Sequence, residues 1–505
     1  MDGDLLGEIM WPLIGSQLLL WSSSSSLSLP AEDLSPTVIL NPLPPTRPPA
    51  SIPVPDELLE EILLRLPTPD ALSRASAACT TFRRVIKGRA FRRRFRGLHR
   101  PPLLGFMDAV GFHPAQAPHP SAELASALAP CAADLSFVPV PAVASSSSSS
   151  APPDAEAAGR PPRRRRTSRW RPRDVRDGRV LLDWISLDSE ADSEESILLE
   201  DDDSEEDSEE LGDGEDGPCL AWTKRERRNT ARFHLAVCHP LSRRYVLLPT
   251  IPEDLAAQPR DRLLAFDPVL APATGDDGEE EPFKVICFAR YQTKLLLFVF
   301  SSTASDSEQW SMVDSPFAPV LEHTSCFDCV RGCFYWSQPW ELDDDLRVLD
   351  TRTLRFSTVN ILTGYHLQLR DVDPTIEFFT DSRRNAVVVG REGVIEMFSL
   401  IRQNGSFALH HTSLQDNSHE WNLEKIVQLP EQYHECTIST VGAAEGLLFF
   451  QGAPLGSGFK NLDCYSMDIK TYEITKVCTK MESFFKRKRV LPYFSFPRLL
   501  SEPAI

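Results

Sequence analysis

The chain is 505 residues long, too long for one ordinary hydrophobic core, so two or three structural units with linkers are expected. Its 42% hydrophobic and 25% charged content is that of a soluble globular protein. The net charge of −19 does not describe the folded part: Asp188 to Asp216 holds 17 acidic residues and no Lys or Arg, and the remainder is nearly neutral.

At the N-terminus, Ile9 to Trp21 is apolar but too short to span a bilayer as a helix. It follows Asp2, Asp4 and Glu8, acidic where a secretory signal is positive, so neither membrane insertion nor secretion is expected. Residues 22–50 are rich in Ser and Pro, and residues 1–51 read as a disordered leader. Eleven cysteines follow no paired framework, which points to reduced thiols and a cytoplasmic and/or nuclear location.

Residues 52–96 read as a compact helical module. Pro55 suits a first helical turn, and Asp56 and Glu57 complement the positive end of its dipole. Leu58, Leu59, Ile62, Leu63 and Leu66 recur at i, i+1, i+4, i+5 and i+8, giving one broad apolar face that Pro67 terminates. Thr68-Pro69-Asp70 restarts a helix with a cap and a first-turn proline. Leu72, Ala75 and Cys79 continue the stripe, and Phe82, Val85 and Ile86 belong to a third, arginine-rich helix. A module this small implies that a partner covers part of its apolar surface.

Residues 97–175 read as an Ala/Pro/Ser/Arg-rich linker, partly ordered. Arg160 to Arg179 contains ten arginines with Trp170 among them. Such a run could engage an import receptor or nucleic acid, or pair loosely with the acids that follow; a nucleic-acid partner is not the favoured reading.

Residues 176–497 have the texture of many short strands. Gly178, Gly332, Gly393 and Gly446 each open an apolar stretch, as turn glycines before buried strands. His239 to Tyr245, Asp350 to Phe356 and Asp468 to Ile474 share a polar residue, a hydroxyl three on and an apolar or aromatic residue three further. In that pattern the first side chain can hydrogen-bond the turn backbone. Asn404-Gly405 predicts another hairpin. The spacing fits β-propeller blades, with a flat sandwich as the alternative. The acidic stretch, 187–217, then reads as a disordered insertion in a loop of the first blade, and 498–505 as a tail. Its serines (Ser189, Ser193, Ser196, Ser204, Ser208) suit acid-directed kinases, although a solvated loop is the simpler account. Lys486 to Arg489 reads as a solvated end of the β-rich domain.

His323, Cys326, Cys329 and Cys333 offer four possible zinc ligands. Cys333 falls in an apparent strand, however, and no second paired motif supports the site, so no metal or cofactor is expected. No nucleophile elbow, P-loop or dinucleotide fingerprint is present, and His410-His411 has no partner assignable by spacing; no catalytic residue is nominated.

Pro55 to Ile86 resembles an F-box: Val54-Pro55, Glu57-Leu58-Leu59, Ile62-Leu63, Arg65-Leu66-Pro67, Cys79 and Phe82-Arg83 occupy the positions of that family's pattern. Val54 stands for its leading Leu and Phe82 for its Trp, both still apolar. Residues from about 177 onward, above all Val237 to Pro249, resemble the plant F-box-associated propellers, with a grass-like usage of Ser, Ala, Pro and Arg. The resemblance implies a small all-α, three-helix module followed by an all-β propeller-like domain. It also implies a non-catalytic substrate-recognition subunit of an SCF-type cullin ubiquitin ligase. Val54, Pro55, Leu58, Leu59, Ile62, Leu66, Pro67, Leu72, Cys79 and Phe82 would meet a Skp-type adaptor and, through it, cullin, while the β-rich domain holds an unidentified protein substrate. The alternative is an interaction scaffold whose degenerate F-box no longer recruits the ligase.

Overall fold

A computed structural model of the chain describes residues 54–141, 168–186, 233–256, 261, 263–271, 283–302, 310–317, 328–336, 345–372, 386–389, 393–403, 406–415, 419–431, 438–452, 461–481 and 491–497. The chain forms two compact units, Met1–Arg100 and Pro101–Ile505. The leader, the acidic stretch, Asn404-Gly405 and Lys486 to Arg489 lie outside the described residues.

The described residues of the first unit form four helices: α1 (Asp56–Leu64), α2 (Pro69–Ala78), α3 (Thr80–Ile86) and α4 (Arg89–Leu98). The expected start and stop signals operate. Pro55 precedes α1, Asp56 and Glu57 lie in its first turn, and the Thr68 hydroxyl accepts the Ala71 N–H at 3.2 Å to cap α2. The fourth helix is an addition to the three expected. Its arginine content masks Phe91 and Phe95, an i, i+4 pair that is fully buried and completes a core with Leu59, Leu63, Leu64, Leu72 and Ile86. His99 stacks on Phe95 with ring centroids 4.0 Å apart, and its Nε2 lies 2.7 Å from the Leu64 carbonyl, locking the end of α4 to the end of α1.

The second unit is a six-bladed β-propeller-like ring. Its first blade comprises β3 (Ser168–Arg176), β4 (Arg179–Ser186), β5 (Leu235–His239) and β6 (Arg244–Leu247). The second comprises β7 (Leu263–Ala271), β8 (Lys284–Tyr291), β9 (Leu295–Ser301) and β10 (Ser311–Asp314). The third comprises β11 (Asp328–Val330), β12 (Cys333–Trp336), β13 (Asp345–Asp350) and β14 (Phe356–Asn360). The fourth comprises β15 (Ala386–Val389), β16 (Ile395–Gln403), β17 (Ser406–Leu414) and β18 (Trp421–Gln428). The fifth comprises β19 (Ile438–Ala444), β20 (Leu447–Gly452), β21 (Asn461–Asp468) and β22 (Ile474–Met481). Every pairing is antiparallel, and the first strands pack on one another around the centre: β3 on β7, β11 on β15 and β15 on β19.

The sixth blade joins distant parts of the chain. In it β1 (Leu103–Met107) pairs on one side with β2 (Phe112–Pro114) and on the other with β23 (Leu491–Phe494), which in turn packs against β3. The β-rich unit therefore draws strands from 103–114 and 168–176, stretches that read as linker. Their composition is linker-like, and only pairing with β23 and β4 gives them partners. Helix α5 (Ala122–Ala133) packs on β1 and β2.

The turn reading is borne out by the backbone. Gly178, Gly332, Gly393 and Gly446 all have positive φ and precede β4, β12, β16 and β20. Asp177, Arg331 and Glu445, just before three of them, are also positive, as a two-residue primed turn requires. At the turns into β14 and β22, Asp350 Oδ1 accepts the Arg352 and Thr353 amides at 2.7 and 3.2 Å, and Asp468 Oδ1 accepts those of Lys470 and Thr471 at 2.9 and 3.1 Å. His239 does the same at the turn into β6, its Nδ1 accepting the Ser242 amide at 3.3 Å. Blades are tied by a recurring device: Trp310 and Trp421 donate their indole N–H to the Pro249 and Asn360 carbonyls of the preceding blade, at 2.9 and 3.0 Å.

Burial shapes the acid response of this unit. It lowers His239 to about 4, with Arg179 adding to the effect, and lowers His366 and His410 to about 4 as well. An unfolded imidazole takes up its proton near 6.5, so as pH falls the unfolded chain binds more protons than the folded one. Stability is thus expected to decline as pH falls from about 6.5 to 4, each histidine contributing up to about 1.4 kcal/mol per pH unit. Thermal melts across that range check this. His239→Asn, which keeps an acceptor for the turn, should reduce the decline without lowering the melt at pH 7.5.

Candidate adaptor-docking surface

Helix α1 orients the apolar residues of the first unit in two directions. Leu59, Leu63 and Leu64 turn inward, whereas Leu58 is 58% and Val54 43% exposed, an unusual degree for large aliphatic side chains. Pro55 and Pro67 are exposed, and Ile62, Leu66, Cys79 and Phe82 are half-buried. Two residues of the expected contact set behave differently. Leu59 (5% exposed) and Leu72 (0%) are closed inside the unit's own core, because the wide stripe on α1 and α2 must also serve α3 and α4. They support the surface from beneath.

The orientation of α1 is set by ion pairs that the sequence pattern did not single out. Arg84 of α3 grips Asp56 through two hydrogen bonds of 2.7 and 2.8 Å, and Arg94 of α4 reaches Glu60 at 2.8 Å and Glu61. These pairs lie in solvent, where screening limits their worth, so they orient more than they stabilise. The only signal for them was the placement of Asp56, Glu60 and Glu61 along one helix ahead of an arginine-rich segment. Cys79, at the start of α3, has its thiol held below the ordinary value by the Phe82 amide.

In the β-rich unit, the described part of the arginine run is structural. Trp170 is buried and donates its indole N–H to the Val138 carbonyl at 3.2 Å. Arg171 makes two hydrogen bonds to Asp183 (3.0 and 2.8 Å), Arg173 reaches Asp267 of the second blade at 3.0 Å, and Arg176 donates to the Leu270 carbonyl at 2.9 Å. Side chains so engaged between blades do not form an accessible basic tract; Arg160 to Arg166 lie outside the described residues.

His410 and His411 point to opposite faces of β17. His410 Nδ1 is 2.9 Å from the Tyr365 hydroxyl. His411 lies 2.8 Å from the Tyr472 hydroxyl through Nδ1 and 3.1 Å from Glu396 through Nε2, which links the fourth blade to a turn of the fifth. Of the four zinc candidates, Cys329 and Cys333 sit on the paired strands β11 and β12, while His323 and Cys326 lie outside the described residues. Among the described residues no three His, Cys, Asp or Glu side chains converge as a metal site, and no helix is long and apolar enough to cross a membrane.

These features define a small helical module and a six-bladed propeller-like unit. Residues 54–94 match the family model of the F-box domain. No curated protein matched the chain. Among solved structures, a fucose-specific lectin from Aleuria aurantia is similar at 8% identity over 50% of this chain and 71% of its own, with a TM-score of 0.27. An ulvan lyase of a polysaccharide lyase family is similar at 7% identity over 61% and 68%, with a TM-score of 0.27. Prolyl oligopeptidase B from Galerina marginata is similar at 10% identity over 52% and 32%, also with a TM-score of 0.27. Likenesses at this level carry no argument about what this chain binds or does.

Proposed function

We propose that the chain is the substrate-recognition subunit of an SCF-type cullin ubiquitin ligase. One observation carries the reading: an F-box domain at 54–94 leaves Val54 and Leu58 exposed beside Pro55, Ile62, Leu66 and Pro67, a surface in need of a partner. In this reading a Skp-type adaptor covers that face, with Cys79 and Phe82 at its margin, and links the chain to cullin. The propeller holds a target protein through its loops. This chain contributes no catalytic group; it raises the effective concentration of the target beside a conjugating enzyme. A cytoplasmic or nuclear location and kinship with the plant F-box-associated propellers, supported by Val237 to Pro249, belong to the same reading.

The test is co-purification of the full chain with a Skp-type adaptor and cullin, beside Val54→Asp and Leu58→Asp. Both positions are largely exposed, so folding should be nearly unchanged, whereas a carboxylate buried at an interface costs several kcal/mol. Recovery of adaptor and cullin with the parent only, by a margin of at least about 100-fold in affinity, is the expected result. No recovery with the parent would remove the ligase reading and leave an interaction scaffold.

A further inference from the structure

The fifth blade carries two thiols in a relation found nowhere else among the described cysteines. Cys464 on β21 and Cys478 on β22 are direct cross-strand partners, both within the core that joins this blade to Phe106 and Phe494 of the sixth. Directly opposed residues bring their Cβ atoms to roughly 4.5–5.5 Å, just beyond disulfide range, so a small local shift suffices to join them. The strand yields at this point. Cys464 faces Cys478 and Tyr465 faces Lys476, so Val477 is an extra residue, a bulge immediately beside Cys478. The bulge is held from the closing blade's side by Gln116, whose backbone N–H donates to the Val477 carbonyl at 2.7 Å and whose side-chain Oε1 accepts the Thr479 backbone N–H at 3.3 Å.

The electrostatics favour a reactive member of the pair. The hydrogen bond with Cys464 holds the Cys478 thiol below its ordinary value; Lys480 and Lys476 act in the same direction, and burial and Asp463 oppose them.

From this geometry we infer that Cys464 and Cys478 form a redox-responsive dithiol, oxidised by hydroperoxides to a cross-strand disulfide that staples the outer strands of the fifth blade at the ring's closing seam. The Cys478 thiolate attacks one peroxide oxygen, the O–O bond breaks, and with hydrogen peroxide one water leaves and a sulfenic acid remains. The Cys464 sulfur then attacks that sulfur, its proton leaving with the hydroxyl as a second water. Two thiols thus lose two electrons to one peroxide. The inference is independent of the ligase reading.

The experiment treats the native full chain with hydrogen peroxide, blocks remaining thiols by alkylation in denaturant, and maps peptides by mass spectrometry. A Cys464–Cys478 linked peptide is expected in the folded protein, reversible by dithiothreitol and accompanied by a higher melting temperature. In Cys464→Ser, Cys478 should instead be trapped by dimedone as a sulfenic acid. Should that variant fail to fold, the peptide map of the parent decides alone. Oxidation of the exposed Cys131 while Cys464 and Cys478 both remain alkylatable would overturn the inference, as would pairing of either with any other cysteine.

Discussion

A chain ended at residue 490 is expected to lose the folded β-rich unit, because β23 is the inner strand of a blade whose other strands lie almost four hundred residues earlier in the chain. Removing it strips Leu103, Gly105, Phe106 and Met107 of β1 of their β23 partners and takes away Leu491, Tyr493, Phe494 and Phe496, all buried. At about 1.5–3 kcal/mol for each large apolar side chain, that loss approaches the entire stability of about 5–15 kcal/mol typical of a folded protein. It also opens the ring, exposing the unpaired edge of β1 and the flank of β3. Insolubility or loss of the cooperative melt is the predicted result, read by circular dichroism and size-exclusion chromatography. Restricting the chain to residues 176–497 should fail for the same reason, since it lacks β1, β2 and nearly all of β3. A truncated chain that melted like the parent would refute the closing role of β23.

Phe95→Ala should unfold the helical unit while leaving the propeller intact. Phe95 is fully buried, stacks between Phe91 and His99, and belongs, among the described residues, to a core of seven large apolar side chains. Its truncation is worth about 3–5 kcal/mol, more than so small a core can absorb. Hydrogen exchange resolved by peptide should show protection lost over 56–98 and retained over β16 and β17. Leu58→Ala, on the exposed side of α1, should change stability by less than about 0.5 kcal/mol. The two variants separate the two uses of leucine and phenylalanine in this module. On the proposed ligase reading both lose the adaptor, but only Phe95→Ala should lose the fold. Retained protection over α1 to α4 in Phe95→Ala would show that the core lies elsewhere.

Local grammar made much of this legible. The proline and threonine signals around α1 and α2 act within a turn or two of the residues that carry them, and the F-box pattern lies within one short stretch. Turn glycines are equally local, acting through their own φ, as are Asp350 and Asp468, which accept amides two or three residues on. Spacing was a coarser guide. Asn404-Gly405 predicts a further hairpin, yet the strands on either side of it are β16 and β17, the second and third of their blade, with Gln403 opposite Ser406, whereas the turns at Asp350 and Asp468 join third to fourth strands. His239 was recognised as a turn residue by its place in a repeat, although an imidazole is not the usual group for that duty.

What required the tertiary structure was every decision that depends on a distant partner. Leu103 to Met107 and Leu491 to Phe494 are short apolar runs that mean little until they pair with each other. The arginines of β3 look like a basic tract until Asp183, Asp267 and the Leu270 carbonyl are placed beside them. Leu58 and Leu59 are adjacent leucines of the same helix, yet one faces solvent and the other the core, a choice set by where α3 and α4 pack. Sequence alone determined the helical module and the strand-and-turn character of the second unit, because those rest on interactions a few residues long. The closing of the ring, the side of α1 left open and the meeting of Cys464 with Cys478 were decided by the fold, because a side chain's environment is set by neighbours that only chain topology brings to it.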